Sequence, residues 1–329
     1  MGQRRVETFK ILFPDKHEGF ADLFLEELDS WFTADIACCD NCYDEFVSRW
    51  PGTYIRDLEF QRSGIPLDIF YEGSDLAEVF TLEEFNENLT QLNCPRCDAQ
   101  LEHNIWPYCF PFDPPDGFEE IAIEVSEIAR TTPFLLLKHE FAKSVHDEVQ
   151  SIALLIEPEN IQPHFRGRTG LTNPRPEQLG PPPNSKTSEG RYNHAGRPVC
   201  YLASDASTVF LELGTPEIGI HVAEIEVIRP VKILDLLDDR LNSNTITALI
   251  YSSLLSTGTN DDGWNRPEYV FTRFVADCAY AAGLDGIRYP TTRASTGSNL
   301  VLFGKTHSWD SVINIGTIGP HPPTANNST

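Results

Sequence analysis

Two Cys-x-x-Cys pairs, Cys39-Asp-Asn-Cys42 and Cys94-Pro-Arg-Cys97, restrict what this chain can fold into more than any other feature. A Cys-x-x-Cys turn presents both sulfurs on one side, and a tetrahedral zinc ion takes four such thiolates at about 2.3 Å. Closing both pairs on one ion brings together two segments with 51 residues between them. The usual separation is roughly 15–20 residues, so the intervening stretch reads as an insertion in a zinc-ribbon-like unit. Four thiolates leave no open coordination position, which makes such a zinc structural and not catalytic. The competing reading is four buried free thiols. Cys38, Cys109, Cys200 and Cys278 have no partner spacing and read as packing residues.

Charge narrows the partners. The 329 residues hold 25 Lys and Arg against 49 Asp and Glu, a net charge of −24. Nucleic acid phosphates and anionic membrane surfaces repel such a chain, so neither is expected as a partner. The imbalance is uneven: residues 1–150 carry 11 basic and 31 acidic side chains, and residues 151–329 carry 14 and 18. Within the second half, 166–197 holds Arg166, Arg168, Arg175, Lys186, Arg191 and Arg197 against only Glu177 and Glu189. This basic island is the first place to expect an anionic ligand. No signal-peptide pattern opens the chain, and the longest uncharged run, Leu241 to Asn260, is too rich in Ser, Thr and Asn to span a bilayer. With Cys-x-x-Cys pairs read as metal-binding, the expectation is a cytoplasmic protein.

A hydrophobic content of 40% over this length predicts about two domains. Breaks fall at Cys109–Gly117 and Leu179–Ser185, where Pro removes donors and Gly permits turns. Helices are expected at 20–35, about 118–130 and 134–155, with a β-poor segment at 36–109. Beyond Pro163 the pattern shortens to strands at 199–203, 220–228 and 299–303, a short helix at 205–213 capped by Asp205, and a helix at 268–283 ended by Gly283. The resulting division is 1–115 (acidic, with the cysteine site), 116–160 (helical connector), 161–315 (an α+β catalytic-type domain) and 316–329 (disordered tail).

The second half also carries a specific string. Phe165-Arg166-Gly-Arg168 precedes Glu189-Gly-Arg191-Tyr192-Asn193-His-Ala-Gly196-Arg197-Pro-Val-Cys-Tyr201-Leu-Ala-Ser-Asp205 and Ala-Ser-Thr-Val-Phe-Leu-Glu212-Leu. Further on come Glu268-Tyr269-Val-Phe-Thr-Arg273, Gly286-Ile-Arg-Tyr289-Pro290-Thr-Thr-Arg293 and Gly297-Ser-Asn299-Leu-Val-Leu-Phe303. This run, over about 161–305, resembles the RES-domain family, named for an Arg, a Glu and a Ser. The helix from Pro133 looks like the segment before the domain in longer members with a Cys-rich N-terminal region. The resemblance implies a mixed β-sheet domain similar to ADP-ribosyltransferases. It also implies a toxin of a toxin–antitoxin pair that splits NAD⁺ at the nicotinamide–ribose bond by phosphorolysis or hydrolysis. Arg166 and Glu212 match the first two signature residues. The third is Thr291 here, which keeps the hydroxyl but adds a methyl; Ser295 and Ser298 are the alternatives. Tyr192 stands where the family often has Trp, and Arg273 where similar sequences have a neutral amide.

The residue types fit that chemistry. Cleaving the bond at ribose C1′ builds positive charge there, and the cationic leaving group needs no acid, so a carboxylate such as Glu212 must face C1′. A pyrophosphate calls for planar, multi-donor arginines, here Arg166, Arg168 and Arg191. Tyr192 and Tyr201 offer ring faces for nicotinamide, and Asn193 lies in the same string. Plainer readings stand beside each: a solvated Glu212, an Arg168 paired to an acid, an Arg191 shaping a glycine turn, a Tyr201 in the core. The expected whole is an NAD⁺ phosphorylase or glycohydrolase that halts growth, with phage defence as a setting, restrained or activated by a protein partner such as an antitoxin. The competing readings are transfer of ADP-ribose to a macromolecule and an inactive nucleotide-binding module. A homo-oligomer is left open.

Overall fold

The computed structural model describes residues 7–9, 11–13, 15–32, 34–56, 63–214, 219–237, 243–256, 269–293, 296–304 and 308–321. The chain divides at the Pro-rich break into two compact units, Met1–Asp113 and Pro114–Thr329. Consecutive prolines at 114 and 115 supply no backbone donors, so neither a helix nor a ladder continues across that point.

The first unit is built on aromatic packing around a small sheet. Its elements are α1 (Phe20–Phe32), β1 (Ile36–Cys39), α2 (Tyr43–Arg49), α3 (Pro51–Arg56), β2 (Ile65–Pro66), α4 (Leu67–Gly73), α5 (Leu76–Val79), α6 (Leu82–Leu89) and β3 (Asn104–Tyr108). Strand β3 lies between β1 and β2, antiparallel to both. Phe24, Phe46, Trp50, Phe70 and Phe85 are fully buried, with Phe24 and Phe70 rings 4.9 Å apart. Each such ring contributes about 2–3 kcal/mol of burial. Helix α6 starts at a capping box in which Thr81 and Glu84 satisfy each other's backbone donors.

The second unit opens with α7 (Phe118–Thr131) and α8 (Glu140–Leu155), then carries β4 (His164–Thr169), α9 (Pro176–Leu179), β5 (Val199–Ala203), α10 (Ala206–Glu212), β6 (Ile220–Val227) and β7 (Ile233–Asp235). It continues through α11 (Asn244–Tyr251), α12 (Ser253–Ser256), α13 (Val270–Ala281), β8 (Gly286–Pro290), β9 (Ser298–Phe303) and β10 (Ile313–His321). The seven strands run in the order β10-β6-β4-β5-β9-β8-β7, antiparallel except for the parallel β7–β8 pair. This is the α+β mixed sheet expected from the sequence. Helix α13 packs on β8 and against α7, α8 and α12. No helix of the described residues is long and apolar enough to cross a membrane.

Three expectations change. The segment expected as one helix over 134–155 is a 3₁₀ helix at Pro133–Lys138 followed by α8, because His139 adopts extended backbone and its Nδ1 accepts from Phe141 N at 3.2 Å. The helix at 268–283 spans Val270–Ala281, with Gly283 just beyond it at φ +88°, while Glu268 lies outside the described residues. Residues 316–321, expected within the disordered tail, instead end β10, which pairs with β6 through His321. Gly316, Gly319 and Pro320 read as breakers, yet an edge strand leaves one side unpaired and tolerates both a bulge and a missing donor. Residues 322–329 lie outside the described residues, as do Ser295 and His307.

Candidate active site and metal centre

The cysteine pairs converge. Cys39 ends β1 and Cys42 precedes α2, with Cys42 N bonded to Cys39 O at 3.1 Å. Cys94 N bonds Ala99 O at 2.7 Å, and Asp98 turns the second knuckle with a left-handed φ of 59°. Asp40 clamps the first knuckle to β3 by accepting from Asn104 Nδ2 at 3.0 Å and Trp106 Nε1 at 2.9 Å. The sulfur separations are 3.9 Å for Cys39–Cys42, 3.6 Å for Cys39–Cys97 and 3.8 Å for Cys42–Cys94, and all four lie within 4.8 Å of one another. A tetrahedron with 2.3 Å metal–sulfur arms has edges of about 3.8 Å. The donor set and its spacing therefore fit one metal ion. Of the remaining cysteines, Cys38, Cys200 and Cys278 are buried as expected, whereas Cys109 is exposed, because it follows the last residue of β3 at the Pro-rich break.

In the second unit the sheet register gathers a carboxylate and its partners. Asp205 caps α10 by accepting from Thr208 N at 2.8 Å, and the helix carries Glu212 in its last turn. Glu212 Oε1 accepts from Thr291 Oγ1 at 2.6 Å and from Asn299 Nδ2 at 2.7 Å. Both donors are buried, Thr291 at the end of β8 and Asn299 in β9. Thr291 Oγ1 also accepts from Arg293 N at 3.1 Å, so its own proton goes to the carboxylate. Glu212 Oε2 has no partner among the described residues.

Beside this carboxylate stands an aromatic wall. Tyr289, directly across from Asn299, has its ring 4.6 Å from that of Tyr192. Tyr201 Oη accepts from Tyr192 N at 2.8 Å and donates to Asn193 Oδ1 at 3.0 Å. Asn193 Nδ2 in turn donates to Ser188 O and His194 O, which makes Asn193 the brace of its loop. A Cβ at Gly190 would overlap Asn193 and the Tyr201 hydroxyl, so that glycine is required for the close approach. Burial pushes the Tyr289 hydroxyl well above its usual value, with Tyr201, Tyr192 and Glu212 adding in the same direction; it stays neutral. A cavity of about 150 Å³ is lined by Tyr192 and Asn193 with His194, Arg197, Asp277 and Tyr280.

The arginines are placed differently. Arg191 is half-buried, donates from Nη1 to Leu255 O at 2.7 Å and lies over the Tyr269 ring. Arg273 is buried and paired with Glu189 at 3.4 Å. Strands β4 and β5 share one pair, Phe165 with Ala203, and then diverge. Since strand side chains alternate, Phe165, Gly167, Tyr201, Ala203, Asn299 and Tyr289 share one face. Arg166 and Arg168 project to the other, with Cys200 and Leu202. Arg166 Nη1 bridges the opening by donating to Tyr201 O at 2.9 Å, with Cys200 Sγ at 3.6 Å. The Nε atoms of both arginines, and His221 Nδ1 across from Arg168, are buried without a partner among the described residues. Burial and the neighbouring Arg166 charge lower the Arg168 value below that of a free arginine. No described contact joins either arginine to Glu212.

Thus Glu212, Thr291, Tyr192, Asn193 and Tyr201 gather on one face, and Arg191 adjoins them through Tyr192 and Tyr289. Sequence reasoning missed Asn299 and Tyr289. The available signal was a buried amide in the otherwise apolar strand Asn299-Leu-Val-Leu-Phe303.

The family model described as RES domain matches residues 166–319. Among solved structures, a chain of the crystal structure of the M. tuberculosis MbcT–MbcA toxin–antitoxin complex is similar at 13% identity and a TM-score of 0.37. The likeness covers 54% of this chain and 92% of that one. No curated protein matches the sequence.

Proposed function

We propose, from the premise that residues 166–319 are a RES domain, that this chain is a toxin of a toxin–antitoxin pair that cleaves NAD⁺ at the nicotinamide–ribose bond. The observation that carries the reading is the Glu212 carboxylate, held through one oxygen by two buried donors and left with the other oxygen unpartnered. A fixed anion of this kind, needing no reorganisation, stabilises the charge that grows at ribose C1′ as nicotinamide departs. Thr291 keeps the hydroxyl contact that the family's Ser would make. Tyr289, Tyr192 and Tyr201 supply neutral aromatic and hydroxyl surface for the nicotinamide ribose.

The unpartnered Nε atoms of Arg166 and Arg168 are donors left over for an anion, and pyrophosphate is the anion this substrate carries. They would meet it where β4 and β5 part. With phosphate as acceptor, its oxygen bonds C1′ and the products are nicotinamide and ADP-ribose-1″-phosphate; with water they are nicotinamide, ADP-ribose and a proton. In the first unit the four cysteines would hold zinc as a structural ion, since four thiolates leave it no site for substrate. Two Cys-x-x-Cys pairs that serve as metal ligands accord with a cytoplasmic setting.

The test is NAD⁺ loss with purified protein, with and without phosphate, comparing wild type with Glu212→Ala. Expected is consumption by wild type and a loss of at least about 10²-fold in the variant. NAD⁺ intact under both conditions, or equal turnover by the variant, overturns the reading. A mass gain on an added protein instead of free ADP-ribose products would replace it by macromolecular transfer.

A further inference from the structure

Resting on that reading of Glu212, we propose that Asn299 is a positioning residue for the reaction, fixing the rotamer of the Glu212 carboxylate so that Oε2 faces the substrate. Glu212 sits in the final turn of a seven-residue helix, with its side chain exposed. A free glutamate there retains most of its rotamers, and ordering such a long side chain costs conformational entropy. Two contacts order it, and they come from different strands. Thr291 lies just beyond β8, where its hydroxyl is shared with Arg293 N. Asn299 lies inside β9, in register with Tyr289 of β8 on one side and Ala203 of β5 on the other. Its place is therefore set by three adjacent strands and not by a turn.

The chemistry fixes the direction of the amide. A carboxylate only accepts, so the atom 2.7 Å from Oε1 is the NH₂ group. Burying an amide in an apolar strand costs stability unless its donors are used, and the carboxylate is the acceptor this one finds. Leucine would fit a strand of this composition better, and the amide is accounted for by its grip on Glu212. The titratable group facing the carboxylate among the described residues is Tyr289 of β8, which burial keeps neutral, so Asn299 and Thr291 are what hold the charge in place.

The test compares full-length wild type, Asn299→Ala and Asn299→Asp. NAD⁺ consumption is followed against pH, and the Asn299 side-chain NH₂ signals are recorded separately by nitrogen NMR without substrate, assigned by their loss in Asn299→Ala, and compared between wild type and Glu212→Ala. Asn299→Ala should lower kcat by tenfold or more with KM within about twofold. Asn299→Asp introduces a carboxyl that, while protonated, is isosteric with the amide and donates the same bond. Its activity relative to wild type should therefore be highest at acid pH and fall at least tenfold as the shared proton is lost. A merely structural amide gives no such slope. Unchanged kcat in Asn299→Ala, or a flat ratio for Asn299→Asp, overturns the proposal. If wild type leaves NAD⁺ intact, the activity reading fails by itself. The side-chain amide signals then decide: a shift of the Asn299 NH₂ signals in Glu212→Ala supports the contact, and unchanged signals overturn it.

Discussion

In the first unit, four sulfurs converge from two turns whose members stand three residues apart; in the second, Glu212 meets Thr291 and Asn299 from 79 and 87 residues away. The metal centre draws its geometry from local turn chemistry and from the ion that would complete it. The carboxylate site draws its geometry from strand register across β8, β9 and β5. A change in one should therefore be felt very differently from a change in the other. With a metal bound, the first unit would lean on one strong bond set, whereas the second spreads its stability over many apolar contacts, among them Leu202, Ile225, Val231, Leu300 and Leu302 in one buried cluster.

The sharpest way to break that contrast is metal removal. Structural zinc in small domains contributes on the order of 10 kcal/mol or more to folding. Chelation, or Cys42→Ser, is expected to abolish hydrogen-exchange protection in β1 and β3 while β5 and β9 keep theirs. Metal content is measured on the same samples. Protection in β1 and β3 that survives with the metal gone would mean that the aromatic core around Phe24, Phe46 and Phe70 holds the unit alone, and the comparison would collapse.

This contrast also explains what could be read in advance. The cysteine site was legible because its chemistry is local: two spacings and four soft ligands suffice. Helix α10 was legible from its Asp205 cap, and β5 and β9 from their apolar runs. Strand β4, His-Phe-Arg-Gly-Arg-Thr, was not, because a glycine and three basic side chains hide any alternation. Strand β10 was hidden by Gly316, Gly319 and Pro320, which edge pairing tolerates. Within the site, Glu212 and Thr291 could be picked out through the motif resemblance. Asn299 stood out only as an amide in an apolar run, and its role, like that of Tyr289, depends on which residues stand opposite one another. With β4 unread, the side of the sheet on which Arg166 and Arg168 lie could not be told either, as the residue between them is a glycine with no side chain to mark the other face.

Gly167 gives a smaller, more local way to probe the sheet unit. A Cβ there would overlap Val209 Cγ1 of α10 and press on Leu213 and Ile220. Helix α10 can therefore lie directly on β4 only because this position is bare. Gly167→Ala is expected to destabilise the second unit by about 1–3 kcal/mol. Because it lifts the helix that carries Glu212, activity should fall more than the melting temperature suggests. The first unit's exchange protection should not change. An alanine tolerated at full stability and activity would show that α10 has room to move and that register alone does not fix the carboxylate.

The smallest effect expected concerns His164, which opens β4 and is 7% exposed. Burial lowers its proton affinity, the Gln162 carbonyl at 2.7 Å opposes this, and the Arg288 charge lowers it further; the net direction is down. In the unfolded chain the same imidazole titrates near its ordinary value of about 6.5. As pH falls through that value the unfolded state takes up a proton that the folded state resists, so stability declines from neutral toward acid pH. Above it both states are neutral and the residue contributes no slope. Denaturant midpoints of the second unit at pH 7.5 and 5.5 should therefore differ more for wild type than for His164→Asn, which keeps a donor for Gln162 O but cannot titrate. The first unit has no part in this difference, so the two proteins should show the same acid response in β1 and β3. Equal slopes for the second unit in wild type and variant would mean that β4 opens enough at its first residue to solvate the ring, and that the sheet is looser beside the β4–β5 opening than its core.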